Sequence, residues 1–244
     1  MPPIRKGDGT PVTPKGISQI RTGDGRILFD GPALPDSAVL HVVAGDYDEG
    51  TGSWPDQSGE GNDLTAVGDP QRVTNELNGE DVVRLDGVGD YFDGPGSGSW
   101  SVTQPFMTVG VVRNPNTSSS QMLADAQGGS PGSGRVTQFL RHADSQTEIN
   151  AGTSLTANNQ ITDYQILSCV YDGSNSIIRQ DKTQQASGGA GSGDWTEGLR
   201  LGADASAGLN LDGEIVEYLV IDERDLTKLQ NEEDRLDSKY GITS

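Results

Sequence analysis

The stretch Trp54-Pro55-Asp56-Gln57-Ser58-Gly59-Glu60-Gly61-Asn62-Asp63-Leu64 decides the fold, together with Val82-Val83-Arg84-Leu85-Asp86-Gly87-Val88-Gly89-Asp90-Tyr91 about twenty residues later. In each stretch, a turn rich in Gly, Asn and Asp adjoins apolar residues that are typical of strands. Asp and Asn side chains cap the backbone amides of their own loops, and glycine permits a positive φ angle. The two stretches therefore predict neighbouring β-segments joined by tight, irregular loops.

The composition favours one main domain and disfavours a nucleic-acid partner. The chain has 244 residues, with 36 Asp and Glu against 17 Lys and Arg, a formal net charge of −19. Binding to nucleic acid or to an anionic membrane depends on basic residues that neutralise phosphates. So large a charge repels itself in ordinary buffer but is screened in concentrated salt. We therefore expect a halophilic origin, with an ordinary acidic protein as the alternative.

The single cysteine, Cys169, excludes an intrachain disulfide and a cysteine-based metal cluster within one chain. It lies in the apolar run from Ile166 to Tyr171, where a buried, unreactive thiol is expected. No segment approaches the ~20 apolar residues of a membrane span, and the N-terminus lacks the apolar core of a signal peptide. We expect that any role outside the cell is reached without an encoded secretion signal.

Residues 1–36 predict an extended N-terminal arm. They are rich in proline and glycine and poor in apolar residues, which disfavours a packed domain. The segment Ile4-Arg5-Lys6-Gly7-Asp8-Gly9 returns as Ile20-Arg21-Thr22-Gly23-Asp24-Gly25, which leads into a short strand that contains Phe29. We expect these residues to add strands to a neighbouring subunit. A flexible tail with accidental similarity is the alternative.

Residues 37–244 predict one antiparallel β-sandwich domain. Short apolar or alternating runs follow one another at close spacing, separated by turn residues and without helix-length segments between them. This pattern excludes a parallel α/β architecture. The predicted strands are 39–44, 82–85, 106–112, 136–140, 166–171, 176–180, 199–202 and 214–221.

Helical periodicity appears only at the C-terminus, where it predicts a helix of about four turns. Thr227 with Gln230 predicts a capping box at its start, and Gly241 suits the position that follows its last turn. A heptad zipper is the rival interpretation, but one short stripe supports only core packing. The apolar stripe consists of Leu226, Leu229, Leu236 and Tyr240.

With these blocks in order, residues 38–244 resemble the concanavalin A-like lectin/glucanase superfamily in its laminin G-like form. The resemblance implies an antiparallel jelly roll of two sheets, with a concave face that often binds carbohydrate. Members with a Trp-x-Asp-x-Ser-Gly signature are frequently modules of surface assemblies, including viral and phage structural proteins. We expect the matching residues to be architectural. They are Trp54, Asp56, Ser58, Gly59, Gly61, Asn62, Leu64, Arg84, Asp86, Gly87, Asp90, Gly213 and Glu214.

We expect no enzymatic activity and assign no catalytic residue. A glycosidase needs two carboxylates roughly 5 to 9.5 Å apart. Glu214 and Glu217, the closest acid alternation, are three residues apart, which on a regular strand places them on opposite faces. Glu214 is expected in a turn with Gly213. His41 lies in an apolar strand, where a core histidine is expected, and His142 follows Leu140-Arg141, so neither indicates a catalytic triad.

Calcium and carbohydrate are the ligands that the sequence leaves open. Asp46 and Asp48 on an acidic loop form a weak candidate for Ca²⁺, without EF-hand spacing, and no other cofactor is expected. Trp195, Tyr47 and Trp100 are candidate exposed platforms for a sugar. A place in the core is the alternative for most of the aromatic residues, and for Trp195 the alternative is a hairpin position that shields the sheet edge.

The sequence therefore predicts a virion structural protein of a halophilic virus, a capsid decoration, turret or tail fibre component. We expect a homo-oligomer that contacts other virion proteins through the arm and host surface glycans through the lectin-like domain. The expected location is the surface of a particle assembled in the host cytoplasm. A glycoside hydrolase and a free calcium-dependent lectin are the alternatives.

Overall fold

The computed structural model of the chain describes residues 19–21, 27–30, 34–116, 119–141 and 146–243. These residues form β-strands and one C-terminal α-helix, α1 (Leu226–Tyr240), with two single-turn 3₁₀ helices at 44–46 and 173–175. The strands are β1 (Gln19–Arg21), β2 (Ile27–Asp30), β3 (Ala38–Val43), β4 (Ser53–Trp54), β5 (Leu64–Val67), β6 (Gln71–Leu77), β7 (Glu80–Asp86), β8 (Tyr91–Asp93), β9 (Phe106–Arg113), β10 (Ser120–Asp125), β11 (Ser130–Pro131), β12 (Gly134–Arg135), β13 (Thr137–Arg141), β14 (Gln146–Asn150), β15 (Ser154–Ala157), β16 (Gln165–Tyr171), β17 (Ser176–Gln180), β18 (Thr183–Gly188), β19 (Arg200–Leu201) and β20 (Asp212–Ile221).

Two eight-stranded sheets make up the body of the protein. The first sheet has the order β18-β17-β16-β9-β20-β7-β6, and β3 pairs with β20 beside β7. The second sheet has the order β15-β14-β13-β10-β19-β8-β5-β4. Neighbouring strands in both sheets are antiparallel. The predicted antiparallel jelly-roll sandwich with a C-terminal helix is confirmed.

Apolar side chains fill two layers, one between the sheets and one between the first sheet and α1. Strand β9 serves both, because Phe106 and Val112 face the second sheet while Met107, Val109 and Val111 face the helix side. This double burial explains why its sequence is apolar apart from Thr108 and the terminal Arg113. Further members of the inter-sheet layer are Leu40, Trp54, Leu64, Leu85, Phe92, Leu140, Cys169 and Leu201, and the helix layer includes Val82, Ile166, Leu219, Leu229 and Leu236.

Asp56 organises the loop that joins β4 to β5. Its Oδ1 accepts hydrogen bonds from the backbone N–H groups of His41 (2.9 Å) and Ser58 (2.8 Å). Its Oδ2 accepts from the Ser58 hydroxyl (2.7 Å) and from the Asn62 N–H (3.0 Å). Hydrogen bonds to a charged acceptor are stronger than neutral ones. One carboxylate therefore ties this loop to itself and to β3.

Trp54 links the two sheets at the same place. The indole lies fully buried between the sheets, and its Nε1–H donates to the Val43 carbonyl of β3 over 2.8 Å. Leu64, in β5, is also fully buried. Gly59 and Gly61 adopt φ angles of 90° and 77°, which only glycine tolerates at little cost. The loop geometry thus positions the aromatic residue in the core.

Helix α1 begins at a different cap from the one predicted. The side chain of Asp225 accepts hydrogen bonds from the N–H groups of Thr227 (2.9 Å) and Lys228 (3.2 Å). The predicted capping box of Thr227 and Gln230 is therefore wrong, because Asp225 already holds the N-cap position. Gly241 ends the helix with a φ angle of 65°, as predicted. Among the described residues, no helix combines the length and apolarity needed to cross a membrane.

A β-bulge changes the orientation of the acids in β20. The register of β20 against β9 shifts between Ile215 and Glu217. Ile215 faces the second sheet, whereas Glu214 bonds Tyr164 on the helix side and Glu217 bonds residues of α1. The prediction that the two glutamates lie on opposite faces is wrong, because the extra residue of the bulge turns both toward the helix side. The expected turn at Glu214 is also wrong, since this residue lies within the strand.

Glu217 is a fully buried carboxylate that joins β20 to the helix. Its oxygens lie 2.5 Å from Arg235 Nη2, 2.8 Å from Lys239 Nζ and 2.7 Å from His41 Nε2. The Tyr240 hydroxyl donates to it over 2.6 Å. Burial alone would raise the pKa of Glu217, but the charges of Arg235, Lys239 and His41 outweigh burial and hold the pKa well below its usual range. The carboxylate is therefore ionised in the folded protein.

The structure also describes Cys169 and part of the predicted N-terminal arm. Cys169 is completely buried, and burial raises the pKa of its thiol to about 12, as expected for an unreactive cysteine. Strands β1 and β2 pair as a hairpin, with Ile20 opposite Phe29 and Arg21 opposite Ile27. Ile4, Arg5 and His142 lie outside the described residues. The attachment role of the arm stays a prediction.

We predict that Glu217→Gln lowers the free energy of unfolding at neutral pH by about 3 kcal/mol. The substitution leaves partly buried cations beside an uncharged amide, and breaking a buried ion pair costs about 3 to 5 kcal/mol. Urea denaturation measures the loss. Glu80→Gln is the matched control, because Glu80 is exposed at the first residue of β7. It should change the stability by less than about 0.5 kcal/mol.

The same variant has a defined pH dependence. A glutamate in an unfolded chain has a pKa of about 4.3, above the lowered value of Glu217 in the folded protein. The stabilisation from its charge is therefore complete above that pH and is lost as the pH falls through the folded value. Glu217→Gln should lack this component of the acid sensitivity. An identical acid dependence in both proteins would contradict the assignment.

Candidate ligand-binding cleft

Three loops cross between the sheets at one rim of the sandwich. The connections β7 to β8, β9 to β10 and β19 to β20 each run between the first sheet and the second. The end of β7 and the end of β9 both pair with the beginning of β20, so the three crossings start side by side. Loops at the rim of a sandwich run over the protein surface, outside the packed core. A space remains where these three loops meet.

A cleft of about 250 Å³ lies between these three loops. Carboxylates, amides, hydroxyls and exposed backbone dominate its lining, with Val88 and Leu209 as the apolar members. Val88 is 81% exposed, the most exposed large apolar side chain in the described part of the chain. The lining residues are Asp86, Gly87, Val88, Asn116, Ser119, Ser120, Gln121, Gly208, Leu209, Asn210 and Asp212.

Asp86 and Asp212 form a carboxylate pair on one wall. They are directly opposite each other in the antiparallel ladder of β7 and β20, an arrangement that sets Cβ atoms roughly 4.5 to 5.5 Å apart. Asp86 Oδ1 accepts from the Val88 N–H (2.7 Å), and Asp212 Oδ2 accepts from the Asn116 side-chain amide (3.0 Å). The second oxygen of each carboxylate receives no hydrogen bond from the residues that the structure describes.

Gly87 permits the close approach of these strands. Its φ angle is 77°, and a Cβ at this position would lie 2.8 Å from the Asp212 Cβ. Behind it, Asp90 is buried and accepts from the N–H groups of Asp69 (2.7 Å) and Asp86 (3.3 Å). Burial raises the pKa of Asp90, an effect that these backbone hydrogen bonds only partly offset. The Asp86-to-Asp90 turn is thus a fixed wall.

Asp204 shapes the facing wall. Its Oδ1 accepts from the N–H groups of Gly208 (2.6 Å) and Leu209 (3.1 Å), and its Oδ2 accepts from the Ser206 hydroxyl (2.7 Å). Burial alone would raise the pKa of Asp204, but these hydrogen bonds lower it below its usual value. The loop that carries Gly208 to Asn210 is therefore organised before any ligand arrives.

A row of ion pairs across the second sheet anchors the same loop. Arg200 binds Asp93 through two hydrogen bonds and donates to the Asp204 carbonyl over 3.1 Å. Asp125 lies opposite Arg200 in the pairing of β10 with β19. It accepts hydrogen bonds from Arg135 (2.8 and 2.6 Å) and from the Ala205 N–H (3.0 Å). Both guanidinium groups bind carboxylates in the bidentate geometry that gives strong, oriented contacts.

Asn116 and Gln121 close the cleft from the β9–β10 side. The Gln121 side chain is buried, and its Oε1 accepts from the Asp212 N–H over 2.9 Å. Asn210 also lines the cleft, and its side-chain oxygen is shielded from solvent without a hydrogen-bond partner. An unpaired, shielded oxygen is unfavourable, so a ligand that draws this amide into a hydrogen bond gains from it.

The three predicted aromatic platforms do not lie on the surface. Trp195 and Trp100 pack edge to face, with ring centres 5.5 Å apart, and Tyr47 packs against Phe92 at 5.1 Å. All three are buried in the layer between the sheets. Their expected exposure is wrong because a chain with few aromatic residues uses them to fill the core.

The acidic loop at Asp46 and Asp48 does not form the expected calcium site. Asp48 Oδ1 accepts from the Gly50 N–H over 2.9 Å and so closes its own turn. In the described ranges, no group of three or more His, Cys, Asp or Glu side chains is arranged to hold a metal ion. Ca²⁺ requires six or more oxygen ligands, which two carboxylates on this loop do not supply.

The remaining sequence-predicted residues separate into two places. The β4–β5 loop is held by residues that do not line the cleft: Trp54, Asp56, Ser58, Gly59, Gly61, Asn62 and Leu64. Arg84 and Gly213 lie beside the cleft carboxylates, where Arg84 pairs with Glu214 at 2.5 Å. Asp86 and Gly87 line the cleft, whereas Asn116, Gln121 and Asn210 were missed because no motif marks them. Their polarity between strands was the available signal.

No family model matches the sequence, and no curated protein matches it. Among solved structures, Trypanosoma rangeli sialidase in complex with sialic acid is 14% identical with a TM-score of 0.62, over 94% of this chain and 37% of the sialidase. Domain 4 of AbnA, a GH43 extracellular arabinanase from Geobacillus stearothermophilus, in complex with arabinotriose, is 12% identical with a TM-score of 0.57; the match covers 76% of this chain and 92% of that domain. The binding domain of Paraclostridial Mosquitocidal Protein 1 is 11% identical with a TM-score of 0.59; the match covers 81% of this chain and 51% of that binding domain.

These comparisons establish a β-sandwich fold that occurs in glycosidases and in a binding domain. The chain spans little more than a third of the sialidase that it matches. The expectation that this fold indicates a protein without enzymatic activity is wrong, because the same fold forms part of a sialidase and of an arabinanase.

Proposed function

We propose that the chain is a carbohydrate-binding β-sandwich domain and that the rim cleft holds the sugar. The observation that carries this proposal is the cleft lining, in which two carboxylates, three side-chain amides and two hydroxyls converge on one space of about 250 Å³. Small-ligand sites are concave and place a few polar groups with defined geometry. Sugar hydroxyls donate to carboxylates and accept from amides.

Preorganisation supports the same assignment. Asp204 and Arg200 hold one wall by hydrogen bonds, and Asp86 and Gln121 hold the others. A site that is rigid before binding loses less conformational entropy when the ligand arrives. Val88 adds an exposed apolar surface on which the C–H face of a sugar ring can pack. Two structural neighbours are complexes with a sugar, sialic acid in one and arabinotriose in the other.

Filling the cleft should abolish binding. We predict that wild-type protein binds at least one class of oligosaccharide on a glycan array, and that Ser119→Trp weakens this binding at least about tenfold because the indole occupies the lined space. Isothermal titration calorimetry measures the affinity. Thr156→Trp is the matched control, because Thr156 is exposed on β15 at the edge of the second sheet. Equal loss in both variants, or no glycan bound by the wild type, would refute the cleft as a sugar site.

Glycoside hydrolysis is a second candidate, favoured by the opposed carboxylates of Asp86 and Asp212 in the cleft. Hydrolysis by two acids requires one to protonate the glycosidic oxygen and the other to attack the sugar or activate water. We predict that, if wild-type protein releases reducing ends from a bound oligosaccharide, Asp86→Ser and Asp212→Ser each lower kcat at least about a hundredfold. Undiminished turnover in both variants would exclude this pair as the catalytic acids.

We also propose that the domain is a structural component of a halophilic virus, at the particle surface, where it contacts host glycans. The net charge of −19 supports a high-salt habitat, and the β1–β2 hairpin supports a role of the N-terminal residues in contacts with other virion proteins. Deletion of residues 2–30 should leave the sandwich folded by circular dichroism but prevent incorporation into particles. Normal incorporation of the truncated chain would contradict this role.

A further inference from the structure

We infer that the rim cleft selects sugars by charge, binding protonated amino sugars more tightly than neutral sugars and excluding carboxylated ones. This inference rests on the proposed carbohydrate-binding function and names the ligand class for the same cleft. It follows from the charges that line the cleft and from the ion pairs that the neighbouring cations already form.

The charged groups among the described residues that line the cleft are all negative. Asp86 is exposed and Asp212 is half-buried, and no Lys or Arg stands among those lining residues. One oxygen of each carboxylate accepts a hydrogen bond from the protein: Asp86 accepts from the Val88 N–H, and Asp212 accepts from the Asn116 amide. The other oxygen of each carboxylate accepts nothing from the described residues. An ammonium group has three donors and no acceptor, and so it matches this pair.

The nearest cations are already paired. Arg84 lies two residues before Asp86, and its guanidinium binds Glu214 at 2.5 Å and Glu76 at 3.3 Å. Arg113 ends β9 and binds Glu214 at 3.2 Å. A ligand carboxylate that recruited either guanidinium would leave Glu214, which is almost fully buried, with less compensation. In the described part of the chain, neither guanidinium is thus a ready partner for an anionic sugar.

Arg200 and Arg135, on the other side of the cleft wall, are equally committed. Arg200 binds Asp93 and the backbone of the cleft loop, and Arg135 binds Asp125 through two hydrogen bonds. Withdrawing either would release the loop that forms the wall. The cations near the cleft thus shape it without presenting positive charge to its interior.

The size of the expected selectivity follows from Coulomb's law. The attraction between two unit charges about 4 Å apart is several times stronger at the effective dielectric constant of a protein surface than in water. At such a surface it corresponds to at least about a tenfold gain in affinity. The long-range field of a chain with net charge −19 acts in the same direction. Both effects weaken as salt is added.

The test compares oligosaccharides of equal length that carry positive, neutral or negative charge. A β-1,4-linked glucosamine oligomer and its N-acetylated counterpart have the same length and linkage, and a uronic acid oligomer of equal length supplies the anion. Affinities are measured by calorimetry at low ionic strength, at a pH where the amines are protonated. We expect the glucosamine oligomer to bind at least about tenfold more tightly than the acetylated one, and the uronic acid oligomer not to bind.

Three variants identify the groups responsible. Asp86→Ser and Asp212→Ser remove a charge but keep a hydroxyl that can accept from the Val88 N–H or from Asn116. Each should reduce the ratio of amino to acetylated affinity roughly tenfold. Glu80→Gln removes one charge at the opposite end of β7, and it should keep the wild-type ratio.

The outcomes separate this inference from the function on which it rests. Binding of the acetylated oligomer as tight as that of the glucosamine oligomer, or binding of the uronic acid oligomer, overturns the charge selectivity but leaves carbohydrate binding intact. An unchanged ratio in both serine variants also overturns it. If wild-type protein binds none of the three oligomers and no glycan on the array, the proposed function and the inference fail together.

Discussion

The buried carboxylate of Glu217 is the interaction on which the layered structure depends. It sits within β20, accepts from His41 of the neighbouring strand β3, and binds Arg235, Lys239 and Tyr240 of the helix. A buried charge is tolerated only where charges and hydrogen bonds compensate it, so β3, β20 and α1 are restricted to one arrangement. Because the same strand begins at Asp212, the element that docks the helix also positions a carboxylate of the cleft.

The sequence was sufficient to predict the sandwich because buried strands carry a periodic signal. Strands such as β9 and β16 are apolar along most of their length, and the Asp172-Gly173 turn marks the end of β16. Strands β6 and β18 are two of those that the sequence did not predict, and they lie at the edges of the first sheet with polar, largely exposed residues. An edge strand buries too few side chains to impose alternation on its sequence. The bulge in β20 left no signature either, since it depends on register against β9.

The cleft was harder to predict than the fold, for a geometric reason. The Asp86-Gly87 turn was recognised as a structural corner, yet its neighbours in the cleft come from two distant loops that contain Asn116 and Asn210. Nothing in a local pattern reports that three crossings meet at one rim. The exposure of the aromatic residues was predicted wrongly because local sequence suggested a surface position. Trp195 lies in a glycine-rich, polar segment, but its indole donates to the Gly198 carbonyl and fills the core. Local polarity is therefore a poor guide to the exposure of a large side chain.

The proposed function places the sugar between the three crossing loops of the rim. The most direct measurement is an NMR titration of ¹⁵N-labelled protein with the tightest-binding oligosaccharide, which follows the amide shifts of the whole chain. We predict that the largest changes cluster at Gly87, Val88, Gln121, Leu209 and Asp212, which line the cleft. Changes centred on the β4–β5 loop or on the far edge strands β15 and β18, with these five amides unmoved, would contradict the account.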